Sequence, residues 1–251
     1  MRAVITGATS GIGKDMAYQL AAKGCKLILT GRNKKVLQEL QKKLNTEVEI
    51  IALDLKYEQA PYKLYEFCKD KTIDLFVNNA GYGIFGKFSD TNLEDELDLI
   101  SVNIRAVHIL TKLFLKKMKF QQKHGRILNV ASSAGFMTGP LLSSYYASKN
   151  YVVRLSLAIA EELRHENSPI TISVLCPGPV DTNFNQRAGV VFSVKPMSSK
   201  DVARYALNET FKGKQIIVPG FNIKAALLGV RFVPQTLLSH ITYEIQKSKL
   251  K

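Results

Sequence analysis

Apolar runs rich in β-branched residues recur along the chain: AVIT from Ala3, KLILT from Lys26, VEIIAL from Val48, IDLFVN from Ile73, RILNVA from Arg126, ITISVL from Ile170 and QIIVP from Gln215. Their hydrophobicity is nearly continuous rather than alternating, which marks strands covered on both faces. Segments of helical period separate them, long enough for the crossovers that join parallel neighbours. The pattern therefore predicts a doubly wound α/β sheet of seven parallel strands with helices on both faces, one domain over residues 1–251. Longer helices are predicted over 91–119 and 144–165. In such sheets ligands bind beyond the carboxyl ends of the strands. That rule picks out five segments following the first five runs: TGATSGIG, TGRN, LDL, NNAG and ASSAG.

The first of these carries Gly7, Gly11 and Gly13 from strand into helix, where bare backbone can approach a pyrophosphate at a helix N-terminus. Dinucleotide binding is the leading reading, with a purely structural turn as the alternative. Asp54 in LDL and Asn78-Asn79-Ala80-Gly81 read equally as a cofactor groove or as turn chemistry. The stretch SSYYASKN offers two phenols and one ammonium. Residues four apart share a helix face, so Tyr145 neighbours Lys149 while Tyr146 neighbours Asn150. Tyr145 is thus the candidate proton donor, and the ammonium is expected to lower its pKa from about 10.

Charge widens the picture. Thirty-five Lys and Arg against 21 Asp and Glu give a formal net charge of +14, which attracts phosphorylated cofactors, acidic carriers or anionic membrane surfaces. Many of these bases (Lys34, Lys35, Lys42, Lys43, Lys116, Lys117, Lys119, Lys123) fall on outer helix faces without an aromatic platform, and no nucleic-acid site is expected. Cys25, Cys68 and Cys176 are odd in number and widely spaced, so neither a disulfide framework nor a metal site is expected. With a strand beginning next to Met1 and no apolar stretch approaching about 18 residues, the expectation is a cytoplasmic protein without a signal peptide.

Taken together, TGATSGIG, NNAG, Ser132 in NVASSAG, YYASK and CPGPVDT resemble the short-chain dehydrogenase/reductase family, whose fold is the Rossmann type. Five motifs occur in order from residue 3 to about 182. The resemblance implies a catalytic set of Asn103, Ser132, Tyr145 and Lys149. Ser132 rather than Ser133 lies thirteen positions ahead of Tyr145, a separation similar to the family's. Ser132 would hydrogen-bond a substrate carbonyl and Tyr145 would protonate it. Lys149 would lower the phenol's pKa and hold the nicotinamide ribose, and Asn103 would position the helix and a proton-returning water. By the same resemblance Gly7, Ser10, Gly11, Ile12 and Gly13 wrap the pyrophosphate, Asp54 faces the adenine, and Asn79, Ala80 and Gly81 border the adenosine. Pro177, Gly178, Val180 and Thr182 close over the nicotinamide.

Cofactor choice turns on the end of the second run, Thr30-Gly31-Arg32-Asn33, which has no acid to accept from a ribose hydroxyl and a guanidinium suited to a 2′-phosphate. NADP is favoured and NAD stays open, because Ser10 stands where NADP-preferring members often carry a base. Residues 182–199 are expected to form a substrate lid, with Phe184, Val190, Val191 and Phe192 as apolar contacts. The extension 220–251 should form an amphipathic helix packed over a substrate cleft, with docking on an anionic membrane as the alternative. A homodimer or homotetramer built on the two long helices is expected. The activity implied is NADP-dependent interconversion of a carbonyl and a secondary alcohol on an apolar substrate. The alternatives are a 3-oxoacyl carrier-protein reductase and a non-catalytic cofactor-binding scaffold.

Overall fold

The computed structural model describes residues 1–121, 124–182 and 196–247. All seven predicted strands form: β1 (Arg2–Thr6), β2 (Lys26–Gly31), β3 (Val48–Ala52), β4 (Leu75–Asn78), β5 (Arg126–Val130), β6 (Thr171–Leu175) and β9 (Ile216–Ile217). They make one parallel sheet in the order β3-β2-β1-β4-β5-β6-β9. The order in which strands are added reverses between β1 and β4, and the crevice of a doubly wound sheet opens at that point. β7 (Val180–Asp181) and β8 (Met197–Ser198) pair separately. The lid expectation between them falls on 183–195, outside the described residues, and so do its apolar contacts.

Helices α1 (Gly11–Ala21), α2 (Lys34–Lys43) and α7 (Ser199–Phe211) cover one face of the sheet, burying Met16, Leu20, Leu37, Leu40, Val202 and Leu207. On the other face α3 (Gln59–Phe67), α5 (Val107–Phe120) and α6 (Ser143–His165) bury Leu64, Leu110, Phe114 and Leu163, and Phe114 stacks on Phe76 of β4 at 4.1 Å between centroids. Each such side chain contributes about 1.5–3 kcal/mol on burial. These two layers leave the carboxyl ends of β1, β2, β4 and β5 as the open edge.

The helix predicted over 91–119 is interrupted. After α4 (Leu93–Ile100), N-capped by Asn92, residues Ser101–Ala106 form a π-helical turn before α5 resumes. The wider turn carries Asn103, and such turns concentrate at functional sites. Two further helices, α8 (Phe221–Val230) and α9 (Gln235–Lys247), form the C-terminal extension.

Candidate active site

Gly7 (φ +64°) and Gly11 (φ +51°) occupy the left-handed region that only glycine enters freely. A Cβ on Gly11 would approach Thr182 to 2.8 Å, and one on Gly13 would run into the Asn79 amide and the Gly7 carbonyl. The turn is held from β4: Asn79 Nδ2 donates to the carbonyls of Thr6 (3.0 Å) and Gly7 (3.2 Å). Thr6 Oγ1 accepts from the backbone N–H of Asn79 (2.8 Å) and Ala80 (3.0 Å). Thr6 was assigned no role in the sequence, although it opens the motif; its buried hydroxyl is what joins the first strand to NNAG.

α1 starts at N-cap Ser10, whose side chain makes no capping hydrogen bond, and its first turn holds no acid. Its amide donors therefore face the cleft without a carboxylate competing for them, an anion site in the making. Thr30, at the end of β2, lines the same cleft with a buried hydroxyl that has no partner among the described residues. A glycine turn, an open helix end and an unused hydroxyl fit a dinucleotide. Arg32 stands exposed at the mouth with no ion pair among the described residues. Asp54 lies between Leu53 and Leu55, which line the cleft, and its Oδ1 accepts the Lys56 N–H at 3.1 Å.

The cleft, ≈ 360 Å³ in volume, runs from this turn to Ser132, Tyr145 and Lys149. Ser132 caps a short 3-10 turn (Ser133–Phe136) by accepting the Ala134 N–H at 3.2 Å, and its side chain hydrogen-bonds Tyr145. The N–H of Ser133 instead donates to the Pro177 carbonyl at 2.8 Å, tying this turn to the Pro177-Gly178 loop that closes the cleft with Val180 and Thr182. On α6 Tyr145 and Lys149 share a face, as their spacing requires, with Lys149 Nζ 5.7 Å from the Tyr145 ring centre.

One expectation is corrected. Rather than lying below its ordinary value, Tyr145 is pushed up to about 12 by burial, against the Ser132 hydrogen bond that favours the phenolate. Burial likewise pulls Lys149 down to about 8, and its Nζ donates to the Val130 carbonyl at 3.0 Å. Sequence spacing makes the two neighbours; enclosure of both then penalises each charged form more than proximity helps either.

Asn103 does not line the cleft. Fully buried, its Oδ1 accepts the Tyr82 N–H (3.1 Å) while Nδ2 donates to the Tyr82 carbonyl (2.8 Å) and to Ser148 Oγ (3.1 Å). Ser148 in turn donates to the Tyr145 carbonyl at 2.7 Å. Asn103 thus braces the first turn of α6 from below, with Gly81 between: a Cβ there would stand 3.0 Å from Asn103 Oδ1 and 3.2 Å from Lys149 Nζ.

Tyr146 takes a different position. Its hydroxyl accepts from Gln246 Nε2 at 2.6 Å, drawing α9 over the cleft, and the hydroxyl of Ser239 on the same helix pairs with that of Thr138, in the loop ahead of α6, at 2.7 Å. The extension therefore packs over the cleft of its own chain. A Cβ on Gly139 would strike the Tyr146 ring, and Leu141 holds φ +66° just ahead of α6, a strained conformation for a branched residue. Gln246 was missed in the sequence, where nothing in the tail distinguishes it.

A family model for short chain dehydrogenases matches residues 1–189. An uncharacterized oxidoreductase of Staphylococcus epidermidis is 30% identical over 212 residues, 82% of this chain and 90% of that protein. The very-long-chain 3-oxoacyl-CoA reductase of Candida glabrata is 32% identical over 191 residues, 68% of this chain, and the match spans 54% of the reductase. Among solved structures, a short-chain dehydrogenase/reductase from Burkholderia phymatum in complex with NAD is similar at 27% identity and TM-score 0.83, covering 90% of this chain and 91% of that one. One from Sphingobium yanoikuyae in complex with NADPH has 27% identity and TM-score 0.82, covering 92% and 93%.

Proposed function

The chain belongs to the short-chain dehydrogenases, NAD(P)-dependent oxidoreductases acting on CH–OH and C=O groups, and on that premise we propose that it reduces the carbonyl of an apolar substrate, with NADPH the favoured reductant. The observation that carries this reading is the hydrogen-bonded Ser132–Tyr145 pair beside Lys149, at the far end of the cleft from the glycine turn. The nicotinamide cofactor supplies the hydride. Gly7, Ser10, Gly11, Ile12 and Gly13 hold its pyrophosphate, and Asn79, Ala80 and Gly81 border its adenosine.

Tyr145 Oη donates its proton to the substrate oxygen as negative charge develops there, and Ser132 Oγ hydrogen-bonds the same oxygen. Burial that holds the phenol near 12 keeps it protonated at neutral pH, the state a donor requires. Lys149, which sheds its proton near pH 8, holds the ribose and returns a proton toward Tyr145. Asn103 is the positioning residue for the helix turn that carries Tyr145.

Arg32 supports NADP, since its exposed guanidinium, in no ion pair among the described residues, lines the cleft. Leu142 and Ile245 support an apolar substrate, because they line the same cleft as Tyr145 and Gln246. The exposed Leu93, Leu97 and Ile100 of α4 are the face through which two copies associate.

A 3-oxoacyl thioester is the second reading, favoured by the similarity to 3-oxoacyl-CoA reductases and by a +14 charge that attracts an acidic carrier. Following NADPH consumption over hydrophobic ketones, 3-oxoacyl-CoA and carrier-bound 3-oxoacyl groups tests both. Turnover of an apolar carbonyl is expected, and the preferred member of the panel decides between the readings. Tight NADPH binding without turnover of any carbonyl overturns both in favour of a cofactor-binding scaffold.

A further inference from the structure

α9 presents two adjacent stripes, the residues within each spaced by four. Leu238, Thr242 and Gln246 face the protein and are buried; Leu237, Ile241 and Ile245 face outward and are exposed. The wholly aliphatic stripe is the outer one, the reverse of the arrangement expected for a helix facing water. α8 repeats the anomaly: of FNIKAALLGV only Leu227 is buried, and Leu228 is exposed. Phe221 and Phe232, at the start of α8 and just beyond its end, are each 82% exposed. Water contact along six large apolar side chains in one short segment marks a binding face.

Its charge selects the occupant. Residues 220–251 hold five basic residues, Lys224, Arg231, Lys247, Lys249 and Lys251, against one acid, Glu244. Lys224, Arg231 and Lys247 have no ion pair among the described residues; Lys224 donates to the Tyr205 hydroxyl and Lys247 lies over the Tyr243 ring. A second copy would bring two such cationic faces together within a chain already at +14, whereas an anionic lipid surface satisfies the bases and the apolar stripe at once. No described helix is long and apolar enough to cross a membrane, so contact would be interfacial.

We propose that the outer face of α8 and α9 docks the protein on anionic lipid bilayers. Ile245 belongs to the outward stripe and also lines the cleft, so docking sets the apolar end of the cleft beside the lipid. The inference does not depend on the catalytic reading.

The test is co-sedimentation of the full chain with vesicles of phosphatidylcholine alone and with phosphatidylglycerol at a 7:3 ratio, for wild type and for L237S/I241S. Both substituted positions are exposed and neither lines the cleft, and the circular dichroism spectrum and the melting temperature report folding. Binding to the mixed vesicles, at least about tenfold weaker to phosphatidylcholine alone and at least about tenfold weaker in the double variant, is expected. Absence of binding to the mixed vesicles, or equal binding by the folded variant, overturns the proposal. If instead the variant converts a wild-type dimer to a monomer in sedimentation velocity while vesicles bind neither form, the face belongs to a second copy and the proposal is likewise overturned.

Discussion

Two adjacent phenols on one helix allow a test in which each serves as the control for the other. Tyr145→Phe removes the proposed donor, and loss of general acid catalysis costs about 10²–10⁴ in kcat, or roughly 3–5 kcal/mol of barrier. Its cost in stability is small. The variant loses a hydrogen bond to Ser132 but no longer buries a hydroxyl, a net change within about 1 kcal/mol. Tyr146→Phe should behave in the opposite way. The reacting groups stay, while α9 loses the 2.6 Å hydrogen bond from Gln246. That is about 1 kcal/mol, or roughly 2–4 °C in melting temperature for a chain of this size, and KM rises as the wall of the cleft loosens. The assay pairs kcat under saturating NADPH and substrate with thermal unfolding of each variant. Tyr145→Phe retaining more than about a tenth of wild-type kcat would refute the assignment; loss of kcat in Tyr146→Phe alone would move the donor to the neighbouring phenol.

Arg32→Ser should raise the KM for NADPH about 10- to 100-fold through loss of charge-assisted hydrogen bonds and leave that for NADH unchanged; equal shifts for both cofactors mean that Arg32 does not read the 2′-phosphate. Lys149 ties stability to pH: its folded value of about 8 lies below the ordinary 10.5, so between those limits the unfolded chain holds the extra proton and stability rises with pH. The stability of wild type relative to Lys149→Met, from urea unfolding at pH 8 and pH 10.5, should therefore grow by up to about 3 kcal/mol. A difference that is flat or falls with pH shows that the ammonium is not desolvated in the fold. The raised Tyr145 acts in the opposite sense and only above pH 10, as the folded chain then holds the proton up to about 12.

The sheet was legible because strands buried on both faces leave unbroken apolar runs, and all seven runs became strands. The proximity of Tyr145 and Lys149 was legible for a similar reason: a four-residue spacing puts both on one helix face, with Nζ 5.7 Å from the ring centre. Two features were not. Six residues of π-helix (Ser101–Ala106) inside the helical pattern predicted over 91–119 displace the apolar positions by only about one residue, too little for periodicity to register. The shift of Tyr145 was misjudged because adjacency can be read from spacing but enclosure cannot: whether the ammonium or the desolvation dominates depends on elements as distant as β5, whose Val130 carbonyl holds Lys149.

The tail shows a deeper limit. Leu237, Leu238, Ile241 and Ile245 are all apolar and fall on two neighbouring stripes, so an apolar helix face could be read but its orientation could not. Orientation is decided by a polar contact, Gln246 to Tyr146, and by the small stripe residue Thr242, whose hydroxyl bonds back to the Leu238 carbonyl at 2.9 Å and so can be buried. With that stripe inward, the aliphatic stripe one residue round the helix is left half-exposed, Ile245 at the cleft and Leu237 and Ile241 beyond it. Two polar residues with no motif around them therefore determine both what closes the cleft and what faces the exterior. By this argument, a substitution at Gln246 that rotated α9 would alter substrate choice and surface binding together, whereas one confined to Leu237 or Ile241 would alter surface binding alone.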